Sequence, residues 1–290
     1  MMKQLNLFFE LTRLKRPIGY MLLFWPCAWG LTLAYDFSND LNNYFFYLTL
    51  FFLGSVLMRS AGCIVNDISD KEFDKKVERT KNRPIASDKI SINLAIFYTI
   101  VLCSLAFLVL INFNYLTIIL ALCSMPLAFT YPLMKRFTYW PQLFLGITFN
   151  YGLILGWTSI VGEISIAPII LYLGAIFWTL GYDTVYGFQD IKDDEIIGVK
   201  STSIKFKKNP ILFLILCYLM FVISLTLVGF FMKFNSVFFL FIIIPIIHLF
   251  FYQIKNFNIK NSKKILSIFK NNNSLGLIIL INILIGKILA

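Results

Sequence analysis

Nine stretches of this chain are apolar over nearly the length of a bilayer crossing, which is more hydrocarbon than a globular fold of this size can hide from water. They fall at residues 19–36, 44–64, 91–111, 114–131, 141–158, 166–183, 210–231, 236–252 and 273–289. Composition agrees, since 59% of the 290 residues are hydrophobic and only 14% charged, where a soluble domain carries about a quarter. Mean hydropathy is +0.77. The expected fold is an all-α membrane protein, a bundle of about nine transmembrane helices in one domain spanning residues 1–290. Prolines and glycines interrupt several runs, as at Pro126, Pro132, Gly152, Gly156, Gly174 and Gly181. Membrane helices tolerate them, so the span boundaries are soft by about a turn.

The net charge of +11 suggests nucleic acid until the basic residues are sorted by loop. Of the 26 Lys and Arg, 23 fall before the first span or in every second connection after it, and only Arg59, Lys233 and Lys287 lie elsewhere. The positive-inside rule makes that side cytoplasmic, with the N-terminus on it and the C-terminus opposite. The charge excess is largely topology, and no nucleic-acid partner is expected. The N-terminus shows no cleavable signal pattern and is too short and too poor in Ser for a transit peptide, so the expected location is a bacterial cell inner membrane. The five cysteines lie within or beside apolar runs without paired spacing and read as small core residues. With His248 the only histidine, a metal site built on imidazole is excluded.

The chemistry lies in two acidic clusters on the basic side. In NDISDKEFD, Asn66, Asp70 and Asp74 are spaced by four, with Asp67 three before Asp70, so that on a helix they share one face and Glu72 points away. In YDTVYGFQDIKDD, Asp183 and Asp190 are seven apart, and Asp190 and Asp194 four. Like charges so placed repel, more strongly near lipid, unless a cation binds them. Carboxylates and an Asn carbonyl without His or Cys are hard donors suited to Mg²⁺, which completes its shell with water and substrate phosphates. Arg79, Arg83, Lys135, Arg136 and Lys200 flank the clusters as donors for anionic oxygens. Together these describe a clamp for metal and diphosphate. Arg59 stands apart inside the second apolar run, where a buried cation needs an anion, either a protein acceptor on a neighbouring helix or the carboxylate of a substrate.

Four segments then carry a resemblance: TRLKRPIGYMLLFWPCAW, MRSAGCIVNDISDKEFDKKVERTKNRPIAS, YPLMKRFTYWPQLFLGITFNYG and GYDTVYGFQDIKDDEIIGVKSTSI. In these the chain resembles the UbiA-type intramembrane prenyltransferases, and within them the branch acting on 4-hydroxybenzoate. The resemblance implies nine transmembrane helices around a central cavity open to the cytosolic side. It implies Mg²⁺ held by Asn66, Asp70, Asp74, Asp190 and Asp194, with Arg136 as the cation after the fourth helix. Catalysis would then rest on the four aspartates with Arg136, and substrate binding on Arg59, Asp67, Arg79, Arg83, Lys135 and Lys200. The implied reaction moves a polyprenyl group from its diphosphate onto 4-hydroxybenzoate ortho to the hydroxyl, in ubiquinone biosynthesis. The alternatives are a family member with another acceptor, or a secondary transporter, whose binding groups belong near the midplane.

Overall fold

The computed structural model describes residues 2–289, all in helices and short connections with no strand among them. Helix α1 (Met2–Thr12) precedes the first span, α2 (Ile18–Ala34). There follow α3 (Leu41–Ser69), the single turn α4 (Lys71–Asp74), α5 (Ile92–Leu110), α6 (Tyr115–Phe137), α7 (Pro141–Val161) and α8 (Ile166–Gly187). Two short helices, α9 (Ile191–Ile197) and α10 (Thr202–Lys205), lead into α11 (Pro210–Phe231), α12 (Ser236–Ile254) and α13 (Ser262–Ile288). Eight helices are long and apolar enough to cross a membrane, and the 17-residue α2 is a shorter apolar one, giving nine among the described residues.

Two helices outrun their apolar stretches. Helix α3 continues to Ser69 and so carries Asn66 and Asp67, while α13 begins at Ser262 and carries Lys263, Lys264 and Lys270. A helix satisfies its backbone internally whatever its side chains, so it runs on past the hydrocarbon layer where hydropathy stops. Five spans open on a residue whose side-chain oxygen accepts from a first-turn amide: Asp40, Ser91, Asn114, Asn235 and Asn261.

Lipid supplies no hydrophobic force between helices, so close fit must hold them together. Helix α2 meets α7 at glycines: a Cβ on Gly30 would fall 2.0 Å from the Leu153 carbonyl oxygen, and one on Gly156 would fall 2.3 Å from that of Cys27. Gly174 and Gly181 likewise seat Ser224 and Tyr218 of α11 against α8. Around these contacts the buried rings of Trp29, Trp178 and Phe221 pack with centroids 5.2 to 6.3 Å apart.

A buried polar chain locks the C-terminal helices onto this core. The Trp178 indole donates to Asn272 Oδ1 at 2.8 Å, and Gln253 Nε2 donates to the same oxygen at 3.0 Å. The Tyr218 hydroxyl in turn donates to Gln253 Oε1 at 2.7 Å. Gln253 lies in a π-helical stretch of α12, Ile247–Ile254. Helices α5 and α6 are held more loosely: 11% and 17% of their most apolar windows are buried, against 61% for α8.

Candidate active site

Each acidic motif straddles a break between a long helix and a short one. Helix α3 ends at Ser69, and Asp70 caps it with φ −100° and ψ 5° before α4 begins. Helix α8 ends at Gly187, and Asp190 opens α9 with φ −110° and ψ 8°. Both central aspartates thus occupy the sparsely allowed bridge region. A single continuous helical face therefore does not describe either motif. The chain kinks at its central aspartate, yet the Asp74 amide still donates to the Asp70 carbonyl at 2.8 Å, and the Asp194 amide to that of Asp190 at 2.9 Å. Glu72 does point away, 75% exposed and paired with Lys75.

The two motifs converge through cations. Arg79 grips both oxygens of Asp190, with Nε to Oδ1 at 2.8 Å and Nη2 on Oδ2, and its Nη1 donates to the Tyr186 hydroxyl at 3.3 Å. Lys135 donates to Asp70 Oδ2 at 2.5 Å, and Asn66 Nδ2 to the same oxygen at 3.1 Å. Arg83 bridges Asp74 at 2.7 Å and Asp67 at 3.2 Å. Arg136 donates to the Ser69 carbonyl at 2.5 Å, its guanidinium over the Phe73 ring at 5.3 Å. The Lys200 amide donates to the Lys135 carbonyl at 2.8 Å, and Lys200 Nζ to that of Phe137 at 3.2 Å, tying the loop after α9 to the end of α6. Burial, then the neighbouring Asp190 charge, push the Asp194 carboxyl up to about 6, while Lys135 and Arg79 oppose the rise.

Behind this face a cavity of about 320 Å³ runs between α2, α3, α5, α6 and α7. Its lining on α3 extends from Leu50 to Gly62, about 18 Å along the helix. Arg59 and Tyr131 stand at the end nearer the acidic motifs, and the packed rings of Phe51 and Phe113 at the other. Arg59 Nε is buried without a hydrogen-bond partner, and the guanidinium lies over the Phe149 ring at 5.2 Å. No acidic side chain among the described residues forms an ion pair with it.

No group of three or more metal-binding side chains is drawn together among the described residues, and Asp70, Asp74 and Asp190 are engaged by Lys135, Arg83 and Arg79. The donor set still fits a hard divalent cation. Asp70 Oδ1 is buried with no partner, and burial raises the pKa of that carboxyl despite Lys135. An all-oxygen set of this kind suits Mg²⁺.

Of the residues singled out from sequence, Asp70, Asp74, Asp190 and Asp194 and Arg79, Arg83, Lys135, Arg136 and Lys200 meet at one face, while Arg59 lies deeper in the cavity wall. Asp67 sits within the cluster as a buried acceptor for two arginines. One of these, Arg13, read in sequence only as a topology charge, donates to Asp67 at 2.5 Å and has a positive φ of 55°. Tyr186 and Phe73, which sit against Arg79 and Arg136, carried no signal at all, since aromatics are common in this chain.

Residues 23–275 match the model of the UbiA prenyltransferase family. The 4-hydroxybenzoate polyprenyltransferase, mitochondrial, of Drosophila pseudoobscura pseudoobscura is 41% identical over 283 residues, 97% of this chain and 70% of that protein. The protein of the same name in Rattus norvegicus is 47% identical over 208 residues, 71% of this chain and 55% of its own length. Among solved structures, a UbiA homolog from Aeropyrum pernix K1 superposes with TM-score 0.73 at 22% identity, over 92% of this chain and 98% of that one. One from Archaeoglobus fulgidus bound to GPP and Mg²⁺ gives 0.69 at 18% identity, over 96% and 99%. The mitochondrial names of these eukaryotic relatives, and of one from Arabidopsis thaliana, overturn the expectation of a bacterial cell inner membrane. Loop charge reports which way a chain is threaded, not which organelle's membrane holds it. The multi-pass character stands.

Proposed function

The chain belongs to the UbiA prenyltransferase family, and from that membership we propose that it transfers a polyprenyl group from its diphosphate to the ring of 4-hydroxybenzoate, ortho to the hydroxyl, in ubiquinone biosynthesis. It acts as a single transmembrane domain in a mitochondrial membrane with Mg²⁺ as cofactor. The observation that supports this reading is the convergence of two acidic motifs and their cations beside an apolar cavity whose wall holds an arginine with a buried, partnerless Nε.

Asn66, Asp70, Asp74, Asp190 and Asp194 would hold the metal, which when bound offsets the charge that builds on the departing diphosphate. Lys135, Arg136, Arg79, Arg83 and Lys200 are placed to donate to the diphosphate oxygens, and they strengthen as donors where water is excluded. Lys135 and Arg83 are held by Asp70 and Asp74 until an anion competes for them. Asp67 keeps Arg13 and Arg83 in place at this face. The cavity receives the isoprenoid and keeps water from the allylic carbon once the C–O bond ionises. Arg59 meets the acceptor's carboxylate and so turns the ring carbon beside the hydroxyl toward that carbon. Loss of the ring proton restores aromaticity.

The test is product analysis with protein in liposomes, one labelled polyprenyl diphosphate and a panel of acceptors that includes 4-hydroxybenzoate, a naphthoate, haem and a glycerol ether phosphate. Prenylated 4-hydroxybenzoate should form, cease in EDTA and return with Mg²⁺. Product on another acceptor alone would retain the family and refute the acceptor, and full turnover in chelator would refute the clamp.

A further inference from the structure

The net charge of this chain has an address. All 15 acidic residues precede residue 196, and that same segment carries 15 Lys and Arg, so its formal charge is zero. The whole +11 belongs to 11 lysines in residues 196–290, where there is no acid. Orientation alone does not require this, because threading responds to Lys and Arg near the spans and hardly to Asp and Glu. Among the described residues only Lys207 of these lysines finds an ion-pair partner, Glu195 from the neutral segment.

The uncompensated charge is concave at one place. Lys263, Ser267, Lys270 and Asn271 recur at turn spacing on α13 and line, with Leu266, a surface pocket of about 410 Å³. The exposed stripe of α13 then changes character along its length. Beyond Ser274 it continues as Leu277 and Ile281, 45% and 44% exposed, so cationic and hydroxyl donors give way to bare aliphatic surface along one helix face. Asn271 is fixed from behind, its amide donating to the Tyr252 hydroxyl of α12 at 2.6 Å. The pocket lies on the same side as the acidic motifs, since the half-buried Phe269 of the same stretch of α13 packs against Tyr186, and Phe257 of the preceding loop packs on Phe188.

We propose that this pocket is a binding site for the headgroup of an anionic phospholipid, with Lys263 and Lys270 facing the phosphate, Ser267 donating to it, and the acyl chains lying along Leu277 and Ile281. The charge complementarity is with the membrane surface itself, where each nearby lysine contributes about 1 kcal/mol of attraction. The polar-to-aliphatic order along α13 matches a lipid standing beside the helix, and a soluble phosphate would have no use for the aliphatic half.

Native mass spectrometry of the full-length protein released from phosphatidylcholine micelles doped with phosphatidylglycerol tests this. Wild type should retain phosphatidylglycerol over phosphatidylcholine. K263Q/K270Q should bind it more weakly on the order of thirtyfold, from two lysines. The variant changes only exposed lysines, and its helicity and Tm in lipid-free micelles should equal wild type. K76Q/K89Q, which removes as much exposed charge from the neutral segment, is the control and should bind as wild type does. Equal losses in both variants would mean bulk charge attraction and overturn the site. Displacement of the lipid by millimolar inorganic phosphate or glycerol phosphate would assign the pocket to a soluble anion and overturn the lipid. Unchanged retention in K263Q/K270Q would overturn both.

Discussion

Arg79 holds both carboxylate oxygens of Asp190, so the loop that follows one acidic motif is braced directly against the other. The two motifs lie more than a hundred residues apart in sequence, and neither α3 nor α8 alone could fix their distance. A planar guanidinium does so with two parallel bonds and a third contact to Tyr186.

Arg79→Lys keeps the charge and loses the fork. We expect the KM for prenyl diphosphate to rise and kcat to fall together, because a point charge cannot hold the α8–α9 junction at a fixed angle. A double-mutant cycle of Arg79→Ala with Asp190→Ala, read by thermal unfolding without metal, should return a coupling of about 1 kcal/mol. A coupling of zero would mean the brace does not form in solution.

Asp70→Asn, Asp74→Asn, Asp190→Asn and Asp194→Asn should each lower kcat on the order of a hundredfold, since shape is kept and the charge that holds the metal is removed. Glu72→Gln, on an exposed residue whose partner is Lys75, should be nearly silent. Steady-state rates on folded, purified variants decide the matter, and wild-type turnover in Asp70→Asn would place the site elsewhere.

Arg59→Ala should raise the KM for the aromatic acid by about tenfold or more and leave that for the prenyl diphosphate near normal, because the guanidinium lines the cavity, forms no ion pair with the described carboxylates, and keeps an Nε with no protein partner. Equal shifts in both constants would assign it a structural role.

Gly30→Ala places a methyl 2.0 Å from a backbone oxygen of α7 and should destabilise the fold by about 1–3 kcal/mol. Gly54→Ala meets nothing within 4 Å and lines the cavity, so stability should hold while the longest prenyl donors lose rate first. Thermal unfolding and a donor-length series separate these two outcomes.

Much of this was open to reading from sequence because hydropathy and charge are one-dimensional signals. Nine spans and the face bearing Asp70, Asp74, Asp190 and Asp194 follow from residue order alone. The kinks at Asp70 and Asp190 do not, since spacing of four is equally compatible with one unbroken helix. Arg13 looked like any other basic residue before a first span, and only its left-handed backbone and reach to Asp67 set it apart. Gly152 and Gly156 read as interruptions, although they are where α7 touches α2. The chain of Trp178, Asn272, Gln253 and Tyr218 joins four helices, and a pattern confined to neighbours in sequence cannot register it.

The cavity has two unlike flanks. On one side α2 and α7 meet through glycines whose neighbours leave no space for another atom; on the other, α5 and α6 turn most of their surface to the bilayer. Lateral pressure in the surrounding lipid therefore acts on one wall and not the other. Acyl-chain packing becomes a determinant of pocket volume, and the same polypeptide reconstituted in thin, fluid bilayers and in thick, ordered ones will present its isoprenoid substrate with differently sized rooms.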